Sequence, residues 1–382
     1  MYDVIVVGAG AAGCTVARRL AEEDKKVLIL EKKNHIAGNC YDEKDQYGVL
    51  IHVYGPHIFH TSREDVYAFL SRFTDWYAFR HEVVANVHGQ YMPVPFNLNT
   101  LKTVYGEAKA KELEQKLVVI YGMGTKVPIL DLMNHKDAEL QMIGKYVYDN
   151  IYVYYTMKQW GKKPEEIDPA VTARVPVHIS YDNGYFGDKY QGVPLDGFAK
   201  MFENMVAHKN ITIQLETEAK EVLSIQDHQV HYQGEIFQGN VIFTGPIDEF
   251  LDCKYGRLPY RTLDFAFEHY EQDDFQGHSV VNYTVDQDYT RITEYKYLTG
   301  QKCQGTTISK EYPSAYTGEG GQIPYYSIAN EENHALYAKY RDEMAGIANF
   351  HLLGRLAEYQ YYNIDVMVEK AIELAEKLKD ES

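Results

Sequence analysis

Residues 3–13, DVIVVGAGAAG, decide the fold. Residues 4–7 are a β-branched apolar run of the kind that makes a strand buried on both faces. Gly8, Gly10 and Gly13 follow at G-x-G-x-x-G spacing, which permits a tight turn, close backbone approach to a phosphate and close packing of the next helix. Amides at the start of that helix face an anion, and the helix dipole favours negative charge there. The helical stretch 11–24 leads into a second apolar run, 27–30, and then Glu31. That is the distance at which a carboxylate meets an adenosine ribose. Strand, helix, strand and carboxylate in order predict a dinucleotide site; an ordinary βαβ packing turn is the plainer alternative. The fingerprint serves nicotinamides and flavins alike.

At 382 residues the chain can form two or three packed units. Its net charge of -17 argues against nucleic acid as a partner, so any anionic substrate needs a local basic pocket. The 34 tyrosines suggest half-buried, hydroxyl-bearing surfaces such as carbohydrate or nucleotide clefts. Cys14, Cys40, Cys253 and Cys303 lack metal-ligand spacing and read as free thiols of a reducing cytoplasm. No leader and no apolar run of about 18 residues is present, which predicts a cytoplasmic protein with no integral membrane segment. His57 and His60 lie three apart without a third ligand nearby, so no metal site is predicted. They read either as turn histidines bonded to backbone or as polar rings against a flat cofactor.

Further along, residues 80–94 read as a hairpin turning at His88-Gly89. A helical period follows over 99–158, with Leu140, Ile143, Val147, Ile151 and Tyr154 in one series, closed by Gly161 and Pro164. Residues 168–197 have no sustained period and predict a long loop, a candidate lid. A helix at 197–207 and strands at 211–215 and 240–245 come next, the last returning to the first sheet. Four period-two runs, 262–269, 278–284, 289–298 and 306–312, predict an antiparallel sheet, with Arg291, Thr293, Tyr295 and Tyr297 on one face. The chain closes with an amphipathic helix for which Asp365 is the candidate cap, and Gly354-Arg355 stand just before a predicted helix start.

Dispersed segments then carry a resemblance: VGAGAAG with Glu31, AGNCYD, YGPHIFHT, YTMKQWG, Arg174 and Tyr185 in the tyrosine-rich loop, RITEYK, PYYSI and GRLAEYQYYNID. Over essentially its full length the chain resembles the bacterial UDP-galactopyranose mutase family, and YTMKQWG and RITEYK are specific to that group. The resemblance implies a mixed α/β fold. Its doubly wound, Rossmann-like FAD-binding domain would comprise 1–75, 195–250 and 325–382, with a helical subdomain at 98–165. An antiparallel sheet with a mobile substrate loop would take 76–97, 166–194 and 251–324. The implied activity interconverts UDP-galactopyranose and UDP-galactofuranose with no net redox change. It runs through a covalent adduct between reduced flavin N5 and the anomeric carbon, with NAD(P)H as reductant, in a cytoplasmic homodimer.

By the same resemblance, Arg174, Arg291 and His60 are the catalytic candidates, the two arginines acting on the diphosphate. Tyr155, Thr156, Trp160, Tyr185, Tyr326, Tyr361 and Asn363 would bind substrate, with Tyr326 favoured over its neighbour Tyr325. Gly8, Gly10, Ala12, Gly13, Glu31, Gly38, Asn39, His57, Gly354 and Arg355 would hold the cofactor. Asn363 stands where the family usually has aspartate, which removes a charge, and Ala37 replaces one of two successive glycines. The alternative readings are a flavin-dependent amine or polycyclic oxidase and a nucleotide-sugar-binding flavoprotein without turnover.

Overall fold

The computed structural model describes residues 2–161, 163, 166 and 176–380. Arg174 and most of the predicted lid's first part lie outside the described residues.

The predicted strand-turn-helix-strand unit is present: strand Val4–Val7, helix Ala11–Glu22 and strand Val27–Leu30. They belong to a five-stranded sheet in the order Ile211–Gln214, Val27–Leu30, Val4–Val7, Asn240–Phe243, Phe350–Leu352. Every neighbouring pair is parallel. Alternation splits the side chains between two cores. Val4, Val6, Val27 and Ile29 face the helices Ala11–Glu22, Phe198–Val206 and Ile364–Asp380, packing with Val16, Phe202 and Val368. Ile5, Val7, Leu28 and Leu30 face the other way, onto Phe243, Leu258 and Tyr340. A parallel sheet covered on both sides explains why these strands read as unbroken apolar runs. Each such side chain contributes roughly 1.5–3 kcal/mol by burial.

The second sheet has seven strands: Tyr326–Ser327, Tyr260–Tyr270, Thr306–Ala315, Arg291–Glu294, Val280–Tyr283, Val83–Val87 and Gln90–Val94. It is antiparallel as predicted, except that Val280–Tyr283 runs parallel to Val83–Val87. Pro93 is tolerated because its strand is the sheet's edge. The predicted strand over 289–298 is shorter. It ends at Glu294 and turns into the helix Tyr295–Thr299, so Tyr295 and Tyr297 do not extend the Arg291 face.

Helices Leu98–Tyr105, Glu107–Tyr121, Ile129–Met133, Ala138–Val147 and Val153–Trp160 build a third core around Leu113, Leu117, Leu132, Ile143 and Val147. A π-helical turn, Tyr148–Tyr152, interrupts the last two. The wider turn adds residues to the rotation. Leu140, Ile143, Val147 and Ile151 are buried as predicted, but beyond the wider turn Tyr154 is turned out, 48% exposed. Gly161 ends the segment in a left-handed conformation. In the C-terminal helix Asp365 lies inside the first turn, and Asn363 is the preceding residue, its carbonyl accepting from the Met367 amide at 3.1 Å. Residues after Gly354 form turns, and no helix begins until Ile364.

Candidate functional site

The glycines do what their spacing requires. A Cβ on Gly13 would stand 1.9 Å from the Gly8 carbonyl oxygen, and one on Gly38 would stand 2.9 Å from the Gly10 Cα. Two turns are thus pressed together beside the start of the helix Ala11–Glu22. Ala37 adopts φ 73°, with its amide on the Ala9 carbonyl at 2.8 Å. Alanine thus occupies a left-handed backbone position, at a cost on the order of 1 kcal/mol. Gly10 caps the helix with no side-chain bond, and no acidic residue stands in the first turn. Its free amides suit a pyrophosphate.

Glu31 is buried at the end of its strand and accepts from the Ala9 amide at 2.7 Å and the Lys33 amide at 2.9 Å. It braces the glycine turn while still lining the cavity. Lys33 lies over the Tyr54 ring at 3.8 Å, and burial lowers its pKa to about 8.

One cavity of about 1220 Å³ begins here. That exceeds the roughly 300–1,000 Å³ of ordinary small-molecule pockets. At the glycine end it is lined by Gly8, Gly10, Ala12, Glu31, Gly38, Asn39 and Gly354, where an added Cβ would stand 3.3 Å from the Ala12 Cβ, and His57 and Arg355 also line it. At the far end stand His60, Tyr155, Thr156, Tyr185, Arg291, Tyr326, Tyr361 and Asn363. Gly13 is a packing residue behind this wall. Trp160 is outside the lining and meets Tyr326 at 6.1 Å between ring centroids. Tyr325 and Tyr326 both reach the cavity, but only Tyr326 lies with Tyr361 beneath Arg355, the guanidinium standing 5.6 and 4.6 Å from the two rings.

Arg291 is the chamber's central cation. Its Nη2 donates to the Tyr155 hydroxyl at 3.0 Å, its Nη1 lies 3.6 Å from Glu311, and its Nε has no partner among the described residues. Burial opposes the charge, but Glu311 and the hydroxyls of Tyr155 and Tyr326 more than offset it, so Arg291 stays a cation. Burial pushes the Glu311 carboxyl up against the pull of that arginine. Burial lowers His57 to about 4 and His81 to about 3, with Arg291 adding to both. Both rings are neutral near pH 7.

The sequence reading missed His81, Asn282, Phe186 and Lys33. His81 continues the buried alternation of Val83, Ala85 and Val87, a legible signal. The buried His81 Nδ1 and Asn282 Oδ1 find no partner among the described residues, and both residues line the cavity. Buried polar atoms left open in a cavity mark ligand positions. Among the described residues no group of three or more His, Cys, Asp or Glu could hold a metal ion, and no helix is long and apolar enough to cross a membrane.

A glycine-built anion site joined to an arginine- and tyrosine-lined chamber defines a flavoprotein-type dinucleotide enzyme, and the profile of the NAD(P)-binding Rossmann-like domain matches residues 6–73. The profile of UDP-galactopyranose mutase matches residues 150–361. The chain is 37% identical to dTDP-fucopyranose mutase of Escherichia coli over 98% of both chains. It is 33% identical to UDP-galactopyranose mutase of Mycoplasma pneumoniae over 99% of this chain and 96% of that one. A crystal structure of reduced UDP-galactopyranose mutase superposes with TM-score 0.74 at 14% identity, covering 100% of this chain and 94% of the other. The chain belongs to the UDP-galactopyranose mutase family.

Proposed function

We propose that this protein interconverts UDP-galactopyranose and UDP-galactofuranose, using bound FAD in its reduced state. The observation that carries the reading is the single cavity running from the glycine turns to Arg291, Tyr326 and Tyr361. It has room for a dinucleotide at one end and a nucleotide sugar at the other. Gly8, Gly10, Ala12, Glu31, Gly38, Asn39, His57, Gly354 and Arg355 would hold the FAD, with its pyrophosphate at the amides that open the helix Ala11–Glu22 and its ribose at Glu31. When bound, reduced FAD would supply a nucleophilic ring nitrogen for the anomeric carbon; Cys40, which also lines the cavity, is kept a thiol by burial, which pushes it up to about 12.

The chain's own work is electrostatic. Departure of the nucleoside diphosphate builds negative charge, and a desolvated guanidinium aimed at it stabilises the charge strongly. Arg291 is held for this by Glu311 and Tyr155. Arg174 is the proposed second arginine. Tyr155, Thr156, Tyr185, Tyr326, Tyr361 and Asn363 orient the substrate, and Trp160 backs Tyr326. In this reading 1–75, 195–250 and 325–382 carry the cofactor, 98–165 the helical unit, and the remaining segments the substrate. NAD(P)H is the reductant, and the enzyme works in the cytoplasm as a homodimer.

The similarity to dTDP-fucopyranose mutase of Escherichia coli supports a second reading, in which that nucleotide sugar is the substrate. Reduced enzyme supplied with each sugar in turn separates the two. The expected result is a kcat/KM at least about tenfold higher for the UDP-galactose pair, one ordinary pocket contact's worth of discrimination. A preference for the dTDP-fucose pair would transfer the assignment. Peroxide release from an amine substrate, without ring contraction, would make the protein an oxidase.

A further inference from the structure

We propose that Asp188 is a positioning residue that fixes the ring of His60 as the proton carrier of the ring contraction. The inference rests on the mutase reading above and adds to it a residue and a chemical step.

The juxtaposition is set by strand register. Strand Phe59–Thr61 pairs antiparallel with Tyr190–Pro194, with Thr61 opposite Tyr190 and His60 opposite Gln191. Asp188, two residues ahead of that strand, is thereby brought over the His60 ring. Its Oδ2 lies 2.7 Å from His60 Nδ1, and its Oδ1 accepts from the Ser62 hydroxyl at 2.8 Å. Gln191 Nε2 donates to the carbonyls of Asp188 at 3.0 Å and Phe186 at 3.2 Å, tying the turn to the strand. Phe186 in turn stacks on the imidazole, centroids 3.7 Å apart and planes 14° apart. The ring is clamped on an edge and a face, and His60 lines the cavity.

A carboxylate on Nδ1 assigns the proton to that nitrogen. Nε2 is then the working nitrogen, and it has no protein partner among the described residues. The other two cavity histidines are built differently. His57 Nδ1 contacts the Gly55 carbonyl at 2.8 Å, and His81 Nδ1 has no partner among the described residues. Among the described residues, His60 is the cavity histidine with a carboxylate to support an imidazolium.

The reaction needs one group that first gives a proton and then takes one back. Opening the pyranose breaks the C1–O5 bond. Its electron pair stays on O5, which gains the Nε2 proton, while the nucleophile supplied by the cofactor meets the electron demand at C1. Closing the furanose forms the C1–O4 bond from an O4 lone pair, and the O4 proton returns to Nε2. One proton leaves the histidine and one comes back, so the site ends as it began, in keeping with a reaction without net redox. Asp188 steadies the charged ring before and after, and keeps it aimed between the two oxygens.

The test compares holoenzyme with Asp188→Asn and Asp188→Glu. The amide variant is expected to lower kcat by about 10- to 100-fold, within the range for general acid-base groups. KM should stay within about threefold, the split that marks an interaction made in the transition state, and flavin content should be unchanged. The solvent deuterium isotope effect on kcat should rise as the proton step becomes limiting, and Asp188→Glu should recover part of the rate. Nitrogen-15 spectra of the neutral His60 ring, taken at the alkaline end of a pH series, should show a protonated Nδ1 in the wild type and a mixture of tautomers in Asp188→Asn. Should Asp188→Asn lose flavin, Ser62→Ala takes its place, with a smaller loss of kcat and the same rise in isotope effect. Unchanged kcat and isotope effect, or a loss confined to KM, would overturn the relay alone. A wild type with the fixed tautomer but no ring contraction would overturn the mutase reading, and the relay with it.

Discussion

Arg291 decides the site at the level of single residues. It is half-buried in an acidic protein, and Glu311, the Tyr155 hydroxyl and an Nε with no partner among the described residues leave it both charged and available. Arg291→Ala is expected to reduce turnover by at least about 10²–10³, the loss seen when one donor to a developing anion is removed. Flavin should remain bound, because the residues proposed for the cofactor lie elsewhere. Visible absorbance after gel filtration, measured beside the rate, checks both; a colourless variant would make Arg291 a folding or cofactor residue. Arginine 291 was found through its motif, and Glu31 through its distance from the glycines. Asp188 was not legible, because its contact with His60 spans 128 positions and depends on strand pairing. Ala37 shows the converse: a departure at one position proved to occupy a left-handed backbone site that sequence alone does not display.

Elements explain how these side chains converge. The π-helical turn Tyr148–Tyr152 shifts the helical phase, so that Tyr155 and Thr156 line the cavity and Tyr154 does not. A period of 3.6 carried through unchanged puts Tyr154 in the buried series, which is why the phase was not readable. The stretch after Arg291 failed for a related reason: alternation through Tyr297 reads as strand, but Tyr295 turns in to bond the His52 carbonyl at 3.0 Å and starts a helix. His52 belongs to the same buried group, its Nδ1 accepting from the His57 amide at 3.0 Å. Burial lowers His52 to about 3, as it does His81, and lowers His57 to about 4. Folded values below the ordinary 6.5 give stability that is present above pH 6.5 and lost as pH falls towards 4 and 3. Asp42, pushed up to about 6 by burial, acts on the opposite limb, its contribution fading as pH rises. Unfolding free energy followed by denaturant titration should therefore fall steeply between pH 6 and 4. His52→Phe should lessen that slope by up to about 1.4 kcal/mol per pH unit, one proton's worth. An unchanged slope would show that His52 is protonated in the folded state.

For the whole molecule, the architecture was legible where runs were complete and local. The βαβ unit, the strand Asn240–Phe243 returning to it, the helical insertion and the antiparallel sheet were all read from pattern, and each stands in the structure. The parallel pairing of Val83–Val87 with Val280–Tyr283 was not, because nothing local distinguishes a strand's partner some two hundred residues away. That pairing brings His81, two residues ahead of Val83, into one cavity lining with Asn282 and Arg291. The proposed reading, in which a bound cofactor would act as the nucleophile for a sugar, needs a cavity continuous in this way. The most direct test is to follow UDP-galactofuranose by chromatography with the flavin oxidised and then chemically reduced under nitrogen. Conversion to UDP-galactopyranose is expected only in the reduced enzyme, with many turnovers and no consumption of reductant. Equal rates with oxidised flavin, or one equivalent of reductant spent per sugar, would contradict the proposed reading.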